Sequence, residues 1–409
     1  LHADFSVHAF LVHSFAVFVM LGILSVLIIV HECGHFSVAR FFGFQTPVFG
    51  FGLPFGPHWV VGKKWGTEFR VHAALLGGYV AIPELGDESN QDAFGMPLQP
   101  FHKFPIWQRA LVAIAGVTSN VIFAYLIMLV MFFALGEPTN PTAVDKLMPD
   151  PGIALRAGVQ EGDEVIAIDH VKVDSPTDAV QLLGKHKAES VLIDFKRNGQ
   201  PIQITVTTNA DGKVGMALVP KGTVYRKVQG NPFEVAGAAW NKLWSLTASM
   251  VEMIGQLFHN IATGGGHKAG QPGASISDLH GVLAVIKIGS DIAAQDWNQL
   301  LLFTVLISMD LALVNLLPWP ALDGGHLAFM AFEKLRGKPM EETHQSEIVK
   351  WGFISLIVLM AVIMVNDVTA LFTGQLDLKH DSKDKTQQGT PKAPEAPTAP
   401  AATPSPSQP

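Results

Sequence analysis

His31-Glu32-Cys33-Gly34-His35 sets two imidazoles four residues apart, with a carboxylate next to the first. On a helix, residues four apart share a face, so both rings can offer a nitrogen to one metal ion, and Glu32 stands about 100° around, beside the ion's open position. Zinc lowers the pKa of a coordinated water to about 7, and a carboxylate placed there takes up the proton as hydroxide reaches a carbonyl carbon. Cys33, the only cysteine, is turned about 200° from His31 and reads as packing. The alternative is a chance match in an apolar helix, with both histidines hydrogen-bonded to neighbouring helices. An ionisable residue in a spanning segment costs about 2.5 to 3.5 kcal/mol on insertion scales, which weighs against that alternative.

The elements that must position this pair are membrane helices. The motif ends an apolar run, and the 409-residue chain is 48 % hydrophobic but only 15 % charged, well short of the charge usual in soluble domains. Four stretches are long and apolar enough to span, at roughly 14–38, 110–135, 300–317 and 351–371. The first is not expected to be a cleaved signal peptide, because nothing positive precedes it and candidate catalytic residues interrupt its end. Residues 1–13 carry no Lys or Arg, whereas Arg40, Lys63, Lys64, Arg70, Lys103 and Arg109 follow the first span and Lys334, Arg336, Lys338 and Lys350 separate the third from the fourth. The positive-inside rule then puts both loops in the cytoplasm, with the motif at the cytoplasmic end of its helix and both chain ends outside. A net charge of -7 excludes nucleic acid as a partner class.

Two histidines do not complete a metal site. Span three ends in Asn315-Leu316-Leu317-Pro318-Trp319-Pro320-Ala321-Leu322-Asp323-Gly324-Gly325 and reaches the same level. The prolines break the helix, and the glycine pair is expected to turn the chain so that Asp323 points back into the bundle. Taken alone this reads as an Asp-Gly turn. Beside the histidines it completes two His plus one carboxylate with an open position, a known catalytic zinc set. His58, His72, His102 and His326 have no partner at ligand spacing and read as loop or satisfied core residues.

His-Glu-x-x-His in a first span together with Asn-x-x-Pro-x-Pro-x-Leu-Asp-Gly-Gly in a late one resembles the site-2 protease family of intramembrane zinc metalloproteases. The order of elements is similar to its bacterial regulator of sigma-E protease branch, over roughly residues 14–372. Val48-Phe49-Gly50-Phe51-Gly52, Leu76-Gly77-Gly78-Tyr79-Val80 and Ala115-Gly116-Val117-Thr118-Ser119-Asn120 resemble further family patterns, although Leu75 and Val117 stand where prolines are usual and Trp319 replaces a smaller residue. The resemblance implies one zinc ion held by His31, His35 and Asp323, Glu32 as the catalytic base, and Asn315 hydrogen-bonded to the substrate backbone. Gly77, Gly78 and Tyr79 fall in the family's substrate-binding hairpin. It also implies cleavage of transmembrane segments, an anti-sigma factor or remnant signal peptide for example, often after another protease has trimmed the substrate, in a bacterial inner membrane.

The expected fold is therefore a polytopic α-helical membrane protein of about four spans, with a membrane-dipping β-hairpin and one inserted extracytoplasmic PDZ-like domain. The domains divide as 1–142 for the N-terminal membrane half, 143–222 for the PDZ-like domain, 223–295 for an amphipathic connector, 296–375 for the C-terminal membrane half and 376–409 for a disordered Pro/Ala-rich tail. Residues 67–73 alternate as a strand, with 79–82 as its return, and the edge of that hairpin is expected to accept an unwound substrate as an added strand or else to close the cytoplasmic face. The PDZ-like segment reads as a sensor of trimmed ends or as a size filter. Residues 231–262, with Trp240, Trp244, Met250, Met253 and Phe258 before Gly264-Gly265-Gly266, read as an interfacial gate or a plain connector. A metal-dependent transporter would need internal repeats, which are not found, and a non-catalytic adaptor would need neither Glu32 nor Asp323.

Overall fold

The structure, a computed structural model, describes residues 7–52, 56–74, 77–82, 104–149, 152–228, 230–263 and 281–373. Leu75, His102, the glycine run 264–266 and the Pro/Ala-rich tail fall outside these residues.

Four helices are long and apolar enough to cross a membrane: α1 (Val7–Phe41), α2 (Ile106–Ala134), α7 (Trp297–Leu316) and α9 (Glu342–Thr373). Each matches one of the four apolar stretches in the sequence, and the chain is a multi-pass membrane protein. α2 lies at the centre, against both α1 and α7. Beside larger buried residues such as Val112, Met128 and Met131, its inward face carries Ala113, Ala115, Gly116 and Ala124, whose small size lets neighbouring backbones come close, as in helix packing in lipid. A Cβ on Gly34 of α1 would meet the Ala115 carbonyl at 2.4 Å. α9 is the most peripheral span, with Phe353, Ile357, Val358, Val362 and Val365 exposed along it.

Between α1 and α2 the chain forms a four-stranded sheet from β1 (Val48–Phe51), β2 (His58–Lys64), β3 (Thr67–His72) and β4 (Gly78–Ala81), in the order β2-β3-β1-β4. This corrects the expected hairpin. β3 and β4 are not partners: β1 lies between them, parallel to β3 and antiparallel to β4, and the antiparallel partner of β3 is β2. Alternation shows that a segment is a strand but does not name its neighbour, and the glycine-containing β1 takes the central place. Phe36 of α1 packs edge-on against Phe49 and Phe69 and fixes the sheet on the helix.

After α2, β5 (Glu137–Thr139) pairs with β12 (Val224–Arg226), so the inserted region leaves and rejoins the bundle through one short ribbon. Between them lie β6 (Thr142–Leu147), α3 (Ile153–Arg156), β7 (Glu164–Ile168), β8 (Val171–Lys172), α4 (Pro176–Lys185), β9 (Ser190–Arg197), β10 (Gln200–Thr207) and β11 (Met216–Pro220). The sheet order is β10-β9-β7-β6-β11, with β8 on β7. Asn198 and Gly199, both at positive φ, make the tight turn between β9 and β10. Ser175 caps α4 by accepting from the Asp178 amide. Val144, Val165, Ile168, Val191, Ile193, Phe195 and Val206 form the core of this β-domain.

The stretch 223–295, expected as a connector, contributes two helices to the bundle. α5 (Pro232–Thr263) sets Val235, Ala239 and Leu243 against α2 and α7 while Trp240, Trp244 and Met253 stay exposed. α6 (Val282–Gln295), too short to span, wedges between α1 and α7 and shares a core of Ala16, Met20, Ala293 and Leu300. The wholly buried Asp367 of α9 accepts from the Gly281 and Ala284 amides at 3.0 and 3.1 Å and caps α6 from outside its own chain segment. A short helix held by a distant carboxylate leaves no local trace in the sequence, which is why it read as connector.

Candidate metal centre

His31 and His35 lie one turn apart on the buried face of α1, against α2. Gly116 makes this possible, because a Cβ there would stand 2.3 Å from Nε2 of His35 and 2.8 Å from Nε2 of His31. Nδ1–H of His35 donates to the Val112 carbonyl at 2.8 Å, which fixes the tautomer and leaves the Nε2 lone pair facing inward. Nδ1 of His31 lies 3.3 Å from the amide of the fully buried Asn120, whose Oδ1 is otherwise without a partner. Turning that amide over lets Oδ1 accept from Nδ1–H, so that Nε2 of His31 is also free to ligate. Ser308 of α7 holds Asn120 in place by donating to its carbonyl at 2.9 Å.

The third group arrives with α8 (Asp323–Arg336), a helix absent from the sequence reading. The turn before it is made by Pro318-Trp319-Pro320-Ala321, with Ala321 at φ +90°, and not by the glycine pair. Gly324 and Gly325 are needed for closeness instead: a Cβ on either would sit 2.2 Å from the Leu317 or Trp319 carbonyl oxygen. Asp323 thereby reaches the histidines. Its Oδ2 is 3.1 Å from Nε2 of His31 and 3.3 Å from Nε2 of His35, and the two nitrogens are 3.2 Å apart.

These three distances are those of a metal's coordination triangle. A tetrahedral zinc with bonds of about 2.0 to 2.1 Å separates its ligands by about 3.3 Å. The chemistry of the donors fits as well, since two neutral imidazoles and one carboxylate converge and Oδ2 of Asp323 is buried without a hydrogen-bond partner. Cys33 is exposed and takes no part.

Around this triangle lies a cavity of about 290 Å³ lined by Ile28, Glu32, Val80, Ile82, Leu311, Asn315 and His326 together with the three candidate ligands. Oε2 of Glu32 accepts from the Val80 amide at 3.0 Å, so the carboxylate stands between the histidines and the outer edge of β4. Asn315 faces it from α7. Gly78 lies beside Glu32, with its Cβ direction 3.5 Å from Cγ, whereas Gly77, at φ +104°, gives its carbonyl to the Gly52 amide. Tyr79 turns away: its ring covers Gly50 and its hydroxyl meets Nε2 of His72 at 3.1 Å. The edge residue facing the cavity is therefore Val80, one position later than the sequence suggests, because alternate residues of a strand point to opposite sides. His326 joins the cavity wall although it has no partner at ligand spacing in sequence; it follows Asp323 by one helical turn.

Sequence reasoning also passed over the strut of the site. Arg109, counted only as a positive-inside charge, makes two hydrogen bonds of 2.9 and 2.6 Å to Glu333 and fastens the far end of α8 to α2. Its side chain is 6 % exposed, so this is a buried fork-to-fork pair. A basic residue at the start of a span and an acidic residue ten positions after Asp323 were the only signals available.

The model of peptidase family M50 matches residues 19–359. A Nostoc sp. (strain PCC 7120) protein, by name a candidate zinc metalloprotease, is 31 % identical over 373 residues, covering 88 % of this chain and 97 % of the relative. The membrane metalloprotease ARASP of Arabidopsis thaliana chloroplasts is 28 % identical over 367 residues, or 86 % of this chain and 78 % of the relative. A Brucella suis biovar 1 protein of the same candidate description as the first is 27 % identical over 374 residues, with 86 % and 94 % covered. The family match takes in both the helix bearing His31 and His35 and the turn bearing Asp323, and this chain belongs to peptidase family M50.

Proposed function

We propose that this protein is an intramembrane zinc metalloprotease that hydrolyses peptide bonds in the transmembrane segments of membrane proteins. The observation that carries the reading is the triangle of His31, His35 and Asp323, closed to the spacing of a zinc coordination sphere at the end of a membrane helix with Glu32 beside it. Zinc, when bound, supplies a Lewis acid that polarises the scissile carbonyl and makes water acidic enough to attack at neutral pH. His31, His35 and Asp323 hold the ion. Glu32 takes the proton of the attacking water and passes it to the leaving amine.

A transmembrane substrate arrives with its carbonyls already bonded within its own helix, so it must unwind before a peptide bond is accessible. The outer edge of β4, at Gly78 and Val80, offers backbone partners for the unwound stretch, and Asn315 steadies its other side. The Val80 amide is given to Glu32 in the present arrangement, so an arriving strand takes that donor and releases the carboxylate. The β-domain of residues 143–222 serves as a PDZ-like reader of substrate ends already trimmed by another protease. On the positive-inside rule the metal centre lies near the cytoplasmic face, with the β-domain and both termini outside, and the membrane we propose is a bacterial inner membrane.

Glu32→Gln is expected to keep about one zinc per chain and to lower cleavage of a tagged transmembrane substrate by about a thousandfold in detergent, in the range of a general acid–base contribution. Metal analysis and a gel-based cleavage assay on the same preparation check this. Undiminished turnover refutes the reading.

A further inference from the structure

Asp310 is a carboxyl in the middle of spanning helix α7, and it is exposed. No hydrogen bond or ion pair reaches it from the described residues. Within a bilayer such a group is costly, and it is retained where it meets a partner or lines a path. Its place on the helix says which. Phe303 and Ile307, at i−7 and i−3, form with Asp310 a single stripe along α7, and both pack against the cluster shared by α1 and α6. One turn further along, the cover ends and Asp310 is open. Its neighbour Leu311 lines the cavity around Glu32, and Asn315 lies about 7.5 Å along the axis towards the metal centre. α6 thus covers this stripe at Phe303 and Ile307, and among the described residues that cover stops short of the exposed Asp310.

We infer that Asp310 is a specificity determinant of the proposed protease: it receives an N–H donor side chain, an amide or a basic group, carried by the transmembrane substrate. This rests on the protease reading and deepens it by naming a substrate class. A transmembrane segment with a Gln, Asn, Lys or Arg brings a buried polar group that needs a partner as much as Asp310 does, and each satisfies the other once the segment lies along α7. The spacing from Asn315 puts that residue about two positions from the cleaved bond if the chain there is extended, or about five if it is still helical. A wholly aliphatic segment leaves both sides unpaired and is discriminated against.

The test uses the zinc-loaded full chain in lipid nanodiscs and a model transmembrane substrate with Gln, Lys or Leu scanned two to five positions on either side of the cleaved bond. At one position the wild type is expected to show a KM about tenfold lower for Gln and Lys than for Leu, with kcat little changed. Asp310→Leu removes the preference while leaving cleavage of the Leu substrate as it was, and Asp310→Asn keeps the preference for Gln but loses that for Lys. No preference at any position, or an equal loss on all substrates in Asp310→Leu, overturns the inference. If the wild type cleaves none of them, the protease reading falls. The contact is then decided separately by photocrosslinking from position 306 in the Glu32→Gln variant: capture of the Gln substrate over the Leu one upholds it, and equal capture refutes it.

Discussion

The β-domain buries an almost wholly apolar core, whereas the helical bundle buries polar side chains around its metal centre as well as apolar clusters. In the β-domain, Val144, Val165, Ile168, Val191, Ile193 and Phe195 close on one another, and the buried Asp163 is held at the rim by Arg197. In the bundle His31, His35, Arg109, Asn120 and Ser308 are buried around the metal centre beside apolar residues such as Val112 and Met128, while valines, leucines and phenylalanines line the outside of α2 and α9. Water rewards the β-domain for hiding apolar surface, at about 25 cal/mol per Å². Lipid gives no such reward, because its tails are as apolar as leucine, so helix pairing rests on close packing and on polar contacts that hydrocarbon cannot replace. In the bundle, buried polar contacts around the metal centre thus add to close apolar packing, whereas the domain relies on apolar burial.

The largest expected effect breaks the comparison at Arg109. Arg109→Gln or Glu333→Gln strands one charge of a buried pair and is expected to cost about 3 to 5 kcal/mol, whereas replacing both by methionine costs much less. Thermal unfolding in detergent, with zinc content measured alongside, checks this. Equal losses in single and double variants would mean that the pair is mere packing. A smaller effect is expected at Asn120, which touches the metal centre only through His31. Asn120→Ala should weaken zinc retention about 10- to 100-fold against a competing chelator without unfolding the bundle.

The smallest effect sharpens the view of the β-domain. Burial pushes the Asp163 carboxyl up, but its hydrogen bonds from Arg197 and from the Gln160 amide outweigh this and hold it below its usual value. A group depressed in the folded state adds stability that is fully present above its unfolded pKa, about 3.9, and is lost as pH falls through the folded value. Hydrogen exchange at β7 and β9 in the full chain is therefore expected to be flat from pH 7 to about 5, after correction for intrinsic rates, and to speed up below about 4. Asp163→Asn should be less protected throughout and lose that acid-limb dependence.

His31, Glu32 and His35 stood out as candidates through their spacing on one helix, and the four spans were legible because apolar length and composition show within a short window. Strand partners in the small sheet were not: residues 67–73 and 79–82 both alternate, and alternation is the same whichever strand lies beside them. α6 and the Arg109–Glu333 strut were hidden for a related reason, since their meaning depends on residues 86 and 224 positions away. The amino-acid sequence by itself determined which groups are able to bind a metal and that they belong in a membrane. Only the tertiary structure decided that they meet, through Gly116, the Ala321 turn and α8, because a coordination triangle is a matter of three distances across the fold, and no local preference of the chain specifies those.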